Sequence, residues 1–304
     1  MSRRVIFNAD DFGLTPGVNA AIKAAHERGI LTSTTVLTGM AAAAEAEQLR
    51  RDCPDLDIGL HVNLTLGMPT SDPGRIRSIV DGAGRLLSER ALAEGLMRRT
   101  VQSRDIYREV QSQAIRLRGL GVDPTHWDAH RAVAFWPIVL AATAAAAWDS
   151  GITRVRSPRV WVADPTHSAI VAKLRWRCAS SRRWATEANR YVGLKRLRRR
   201  FALPDWLFSA NLVIGPEAYA ERWNLLFDRL PMGLCEVSCH PGTVDEDLIA
   251  VTPGLTDERK VDLDALTDPG SAERLRELGV ELVGFRNLPV HTAPIRSHHA
   301  RLVD

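Results

Sequence analysis

What most constrains this chain is an alternation that runs along almost its whole length. Short apolar runs such as "RVIFNAD", "STTVLTG" and "DIGLHVNLT" take turns with longer segments whose apolar residues recur at helical spacing. A first helix is expected from Pro16, with Thr15 as its N-cap and Gly29 at its end. Further helices are expected at 41–52, over most of 88–118, and at 135–151, 216–230 and 271–279. Further strands are expected at "ITRVRS", "GLCEVSCHPG" and "VELVGFRNL". Strands joined through helices run parallel, and the helices then cover the sheet. A closed barrel and an open doubly wound sheet both satisfy this pattern. No Gly-rich phosphate loop follows any strand, so a dinucleotide-binding sheet has little support.

The 304 residues are a normal length for a single α/β barrel. One unit is expected over 1–304, with a basic helical insert at about 160–205 and a loose tail at 289–304. Charged residues at 25% and hydrophobic ones at 45% are ordinary for a globular protein. No apolar stretch reaches the roughly 20 residues that span a bilayer. The opening Met-Ser-Arg-Arg with one short apolar run lacks the form of a secretory signal, so a cytoplasmic protein is expected. Of four cysteines, Cys235 and Cys239 are close, but nothing nearby completes a zinc knuckle. Buried thiols in a reducing compartment are the simpler expectation.

The net charge of +4 is unevenly spread. From Lys173 to Arg200 there are eleven Lys or Arg against one Glu, so the rest of the chain is acidic. Trp176, Trp184, Tyr191 and Phe201 are interleaved with these cations. The stretch reads either as a solvated helical face or as a surface for an acidic ligand or an anionic membrane. No nucleic-acid motif accompanies it, so no nucleic-acid partner is expected.

Polar residues gather at the carboxyl ends of the expected strands. These are Asp10 and Asp11, His61, the group His126, Asp128 and His130, and His240. Taken singly, each has an ordinary explanation, as a helix cap, a core histidine or a strand end. Taken together, they lie where parallel α/β folds build active sites. Two adjacent carboxylates repel each other, and a divalent cation with neutral imidazoles around it would compensate them. Alternation along a strand sends neighbouring side chains to opposite faces, so the chain is expected to leave the strand at Asp10–Asp11, helped by Gly13. The same alternation puts Cys235, Val237 and Cys239 on one face and Glu236, Ser238 and His240 on the other. Such a site suits water activation on a metal, with a carboxylate base and an imidazole acid.

The blocks "NADDFGLTPGVNAAI", "GILTSTTVL", "GLHVNLTLGMP", "PTHWDAH" and "EVSCHPG", in this order, resemble the YdjC-like carbohydrate deacetylases. The resemblance is close over 4–136, resumes near 205–242 and is weak at "VGFRNL". It implies a distorted TIM-like (β/α) barrel that removes N-acetyl groups from an amino sugar or glycoconjugate with a divalent metal. Matched by motif, Asp11, His61 and His130 would bind the metal, Asp10 would be the general base and His240 the general acid. Arg156 matches an arginine of the family, and Arg156, Asp128 and His126 are expected on the substrate side. Magnesium is the usual metal of the family, while an Asp-His-His set suits zinc on ligand softness. Where the family has further histidines after "DAH", this chain has Arg131, Ala132 and Ala134. That change and the basic insert lead to the expectation of a sugar carrying an anionic or extended apolar group. The partners expected are thus an N-acetylated sugar, a peripheral anionic membrane contact and a second copy in a homodimer. Two rivals remain, a metal hydrolase of another bond such as a phosphoester, and a catalytically silent binding protein for carbohydrate or anionic surfaces.

Overall fold

β1 (Arg3–Phe12) is the spine of the structure, a computed structural model that describes residues 2–131, 136–160, 192–209, 216–252 and 254–289. From Val5 onward every residue of β1 is buried, on both faces, as a central strand of a parallel sheet requires. One edge pairs with β6 (Gly233–Cys239) along Arg3–Ala9. The other edge is shared between β7 (Val280–Leu282), which takes Arg3–Val5, and β2 (Ser33–Val36), which pairs with Asn8–Phe12. β3 (Asp57–Val62), β4 (Trp127–Ala129) and β5 (Trp206–Ser209) complete a seven-stranded parallel sheet, six strands of which run in the order β4-β3-β2-β1-β6-β5 with β7 off that path beside β1.

Residues 152–160 close this sheet into a distorted barrel. Val155 bridges Trp127 of β4, Arg154 bridges Ala202, and Val160 bridges Leu207 of β5, all in parallel sense. The strand expected at "ITRVRS" is therefore reduced to single bridges. Val155 N donates to Ala202 O while Arg156 N donates to Trp127 O, so the segment splays between two neighbours and makes no ladder with either.

Strand parity sorts the interior into layers. Ile6, Leu234, Ala202, Val283, Phe285 and Leu288 form an apolar plug at the bottom. Asn8 and Asp10 follow Ile6 on the same side of β1, and Glu236 and Ser238 follow Leu234 on β6, with His240 just past its end. Val5, Phe7, Ala9, Cys235, Val237 and Cys239 face the outer core under the helices. The expected division of the β6 residues is what forms, and the thiols of Cys53, Cys235 and Cys239 are free and buried.

α1 (Pro16–Glu27) starts as expected, with Thr15 Oγ1 accepting from Val18 N at 3.2 Å. Arg28 caps its end, and Gly29 follows because a Cβ there would lie 2.0 Å from the Leu266 carbonyl oxygen. The expected helix at 41–52 is a 3-10 turn, Ala41–Glu45, leading into α2 (Ala46–Asp52). The segment 88–118 splits into α3 (Glu89–Met97) and α4 (Ser103–Gly119), with Arg99 at φ +59° between them. α5 (Pro137–Asp149), α6 (Pro216–Arg229) and α9 (Pro269–Glu277) match expectation. The strand β5 and the helices α7 (Glu246–Val251) and α8 (Asp257–Thr267) were not legible in the sequence. In α8 the buried face includes Arg259 and Asp262, so the apolar stripe that announces a helix is interrupted. Among the described residues no helix is long and apolar enough to cross a membrane. Residues 161–191 of the basic insert, Ala132, Ala134 and the tail from 290 lie outside the described residues.

Candidate active site

The adjacent aspartates sit inside β1, in an irregularity of the strand rather than beyond its end. The register between β1 and β2 shifts between Ala9 and Phe12, and Asp11 adopts φ +72°. This bulge rotates Asp11 so that both carboxylates reach the barrel mouth. A left-handed non-glycine residue stores about 1–3 kcal/mol of strain, the kind of cost that clusters at functional sites. Gly13, at φ +95°, continues the turn and donates its N–H to Asn19 Oδ1 at 2.6 Å.

Arg156 is the hub of the mouth. Its Nη1 and Nη2 donate to Asp10 Oδ2 and Oδ1 at 2.8 and 2.6 Å. Nη2 also lies 2.8 Å from Asp128 Oδ2, and Nε donates to Glu236 Oε1 at 2.6 Å. One guanidinium thus serves three buried carboxylates. Burial pushes the Asp10 carboxyl up, but Arg156 outweighs it and holds Asp10 well below the usual carboxylate range. Glu236 shares this cation with Asp10 and Asp128. Burial dominates there and lifts its carboxyl to about 7.

Asp11, His61 and His130 converge on one point. Asp11 Oδ1 lies 3.4 Å from His61 Nε2 and 3.2 Å from His130 Nδ1. Asp128 Oδ1 takes the other ring nitrogen of His61, Nδ1, at 2.6 Å, and Thr35 Oγ1 stands 3.2 Å from it. With its proton on Nδ1, His61 points the Nε2 lone pair at a carboxylate oxygen, a repulsive pairing that a cation resolves. Without one, a proton must fill the gap. Burial disfavours that proton, yet Asp128 and Asp11 prevail and raise His61 to about 10. The charge inventory agrees in sign: among the described residues the buried carboxylates Asp10, Asp11 and Asp128 are ion-paired by two guanidinium groups, those of Arg156 and Arg259, which leaves a negative excess that a cation would offset. The donor set and its charge therefore fit a metal ion held by Asp11, His61 and His130.

α8 braces the opposite wall. Arg259 Nη2 donates to Asp11 Oδ2 at 2.6 Å, leaving Oδ1 to the two imidazoles. Burial raises the Asp11 carboxyl, but Arg259 and the histidines bring it well below the usual range. Three residues on, Asp262 Oδ2 accepts the His240 backbone N–H at 2.7 Å, and its Oδ1 accepts from Trp223 Nε1 at 3.0 Å and Arg222 Nη1 at 3.3 Å. His240 is thereby placed with Nε2 3.7 Å from Asp10 Oδ2. Burial lowers its imidazole below the ordinary value, against the pull of Asp10.

The structure brings Asp10, Asp11, His61, Asp128, His130, Arg156 and His240 together. His126 is set a layer lower. It is fully buried, stacks on Phe285 with ring centroids 3.6 Å apart, and meets Asn8 Oδ1 through Nε2 at 3.2 Å. Gly59 makes room for it, since a Cβ there would lie 2.5 Å from the imidazole. Asp128 is sealed behind His61 and Arg156, with no exposed side-chain surface. Both residues expected on the substrate side are thus closed off from solvent in this structure and contact neighbouring side chains. Sequence reasoning missed Asn8, Thr35, Arg259 and Asp262. Arg259, Asp262 and Leu266 do share one helical face at spacings of three and four, but in "DERKVDLDALT" that signal is masked by the charges around it.

The model of the YdjC-like protein family matches residues 4–277, well beyond the blocks that carry the resemblance in the sequence. A carbohydrate deacetylase of Geobacillus stearothermophilus is 31% identical over 293 residues, covering 94% of this chain and 98% of that protein. A carbohydrate deacetylase of Vibrio cholerae is 29% identical over 292 residues, covering 95% and 99%. The crystal structure of a candidate cellobiose-phosphate cleavage protein from Enterococcus faecalis matches with a TM-score of 0.72 at 25% identity, covering 94% and 98% of the two chains.

Proposed function

The chain belongs to the YdjC-like family, and from that premise we propose that it is a metal-dependent carbohydrate deacetylase that hydrolyses the N-acetyl group of an amino sugar or glycoconjugate. The observation that carries this reading is the convergence of Asp11, His61 and His130 beside an Asp10 that is clamped by Arg156 and faces His240. A divalent cation held by those three residues would polarise the amide carbonyl and make the attacking water more acidic. Asp10 stays ionised and takes a proton from that water. His240 Nε2, 3.7 Å away, hands a proton to the departing amine nitrogen. Asp128 fixes the His61 tautomer, and Arg259 keeps one oxygen of Asp11 occupied so that the other is aimed. The products are acetate and the free amino sugar.

A two-metal phosphoesterase is less well supported. The second cluster of candidate ligands, Asp10, His61 and Asp128, is already bound by Arg156 through both carboxylates. A cytoplasmic location remains part of the proposal, supported by the free thiols of Cys53, Cys235 and Cys239.

The test is acetate release from a panel of N-acetylated sugars, with and without a chelator, followed by add-back of magnesium or zinc. Activity lost to the chelator and restored by one metal is expected, with His61→Ala and His130→Ala folded but depleted of the ion. Acetate release that ignores the chelator, or full metal content in both variants, would sink the reading.

A further inference from the structure

α5 departs from what a helix on the outside of a barrel should be. Such a helix normally turns charged residues to solvent. α5 has no charged residue before Asp149, and its outward positions include Ile138, which is 38% exposed, and Ala141. A helical turn at 192–197 packs tightly beside it. Gly193 permits this approach, since a Cβ there would lie 2.7 Å from Leu140 Cδ2. Between the two runs a trough of about 300 Å³, floored by Leu140, Ala141, Ala144 and Phe201.

The rim of this trough is cationic. Arg196, Arg199 and Arg200 line it, and five of the six residues 195–200 are Lys or Arg. Arg196, Arg198, Arg199 and Arg200 are exposed, and among the described residues no carboxylate pairs with any of them. Among the described residues, an apolar floor and unpaired guanidinium groups therefore share one surface, and no residue of the barrel mouth lines it.

The candidate occupants use these two features differently. A free phosphate would engage the arginines and leave the apolar floor unused. A single-stranded nucleic acid needs exposed aromatic faces for its bases, and Phe201 is 2% exposed, packed edge-on against Trp127 and Trp148. A second copy of the chain would set like charges against each other. An anionic bilayer uses both features. Its acyl region takes the Ile138–Ala141 stripe and the trough, while its headgroup phosphates take the guanidinium forks. We propose that this flank of the barrel is a docking surface for an anionic phospholipid bilayer, a contact that lies on the membrane and does not enter its core.

Flotation of the full chain tests this with vesicles of phosphatidylcholine containing about one quarter phosphatidylglycerol, against vesicles of phosphatidylcholine alone. The parent should float with the anionic vesicles, less so as salt is raised, and should not float with the neutral ones. Each arginine near an anionic surface contributes about a fivefold gain, so R196S/R199S/R200S should partition about a hundredfold more weakly. Ala141→Asp, which keeps every arginine, should also weaken binding at least about tenfold, because it charges the apolar floor. Both variants must keep the parent's circular dichroism and thermal midpoint. If Ala141→Asp fails that criterion, Ile138→Ser at the exposed edge replaces it. Failure of the parent to float, equal flotation of parent and triple variant, equal binding to both vesicle types, or displacement by inorganic phosphate at constant ionic strength would each overturn the proposal. Flotation does not depend on acetate release, so the two readings fail separately.

Discussion

Arg156 and Arg199 are the same residue type in opposite circumstances. Arg156 stands in the barrel mouth, its side chain 12% exposed, bound to Asp10, Asp128 and Glu236. Arg199 stands on the outer flank beside α5, exposed and without an ion pair to any described residue. In the mouth, charges removed from water are held by other charges at hydrogen-bond distance, and each is costly to remove alone. On the flank, water already satisfies the guanidinium, and its charge acts only outward. A count of basic residues, which picks out the flank first, therefore points away from the place where a cation matters most to the fold.

The sharpest way to break this contrast is to delete each arginine in turn. Arg156→Met should cost about 3–5 kcal/mol of stability, because three buried carboxylates lose their shared partner. A denaturant midpoint near that of the parent would mean that the mouth is wetter than its geometry implies. Within the mouth, Asp10→Asn and His240→Ala should retain the metal and lose about 10²–10⁴-fold in turnover. Near-normal turnover in both would place the proton transfers elsewhere.

A smaller effect separates the mouth from the flank by pH. In the metal-free chain His61 holds its proton up to about 10, above its ordinary 6.5. That proton stabilises the metal-free fold fully below 6.5, and the contribution is lost as pH rises through about 10. An incoming ion must displace it. Metal affinity should then rise with pH, by up to about tenfold per unit, and binding near neutrality should release a proton. Calorimetry in buffers of different ionisation enthalpy reads this directly, and uptake without proton release would remove His61 from the ligand set. The smallest effect belongs to the flank: Arg199→Ser should stay within about 0.5 kcal/mol of the parent in stability. A larger loss would show that the flank is structural after all.

The sequence by itself determined what depends on near neighbours along the chain. The alternation of strand and helix periods implied a parallel sheet covered by helices, the resemblance added that it curls into a barrel, and turn chemistry placed Thr15 and Pro16 at the start of α1. The two-residue period of β6 separated Cys235 and Cys239 from Glu236 and His240. The same period in β1 led to the expectation that the chain leaves the strand at Asp10–Asp11, whereas it stays in β1 and bulges there. Tertiary structure alone decided the partners. It turned "ITRVRS" from a strand into the splayed segment that closes the barrel and carries Arg156 to Asp10. It sent His126 to the floor beneath Asn8, though it lies only four residues from His130. It brought Arg259 across 248 positions to Asp11 from a helix whose sequence reads as solvated. The physical reason is that backbone period and turn preference are local, whereas the free energy of a charged side chain depends on solvent access and on which opposite charge the fold brings within 3 Å.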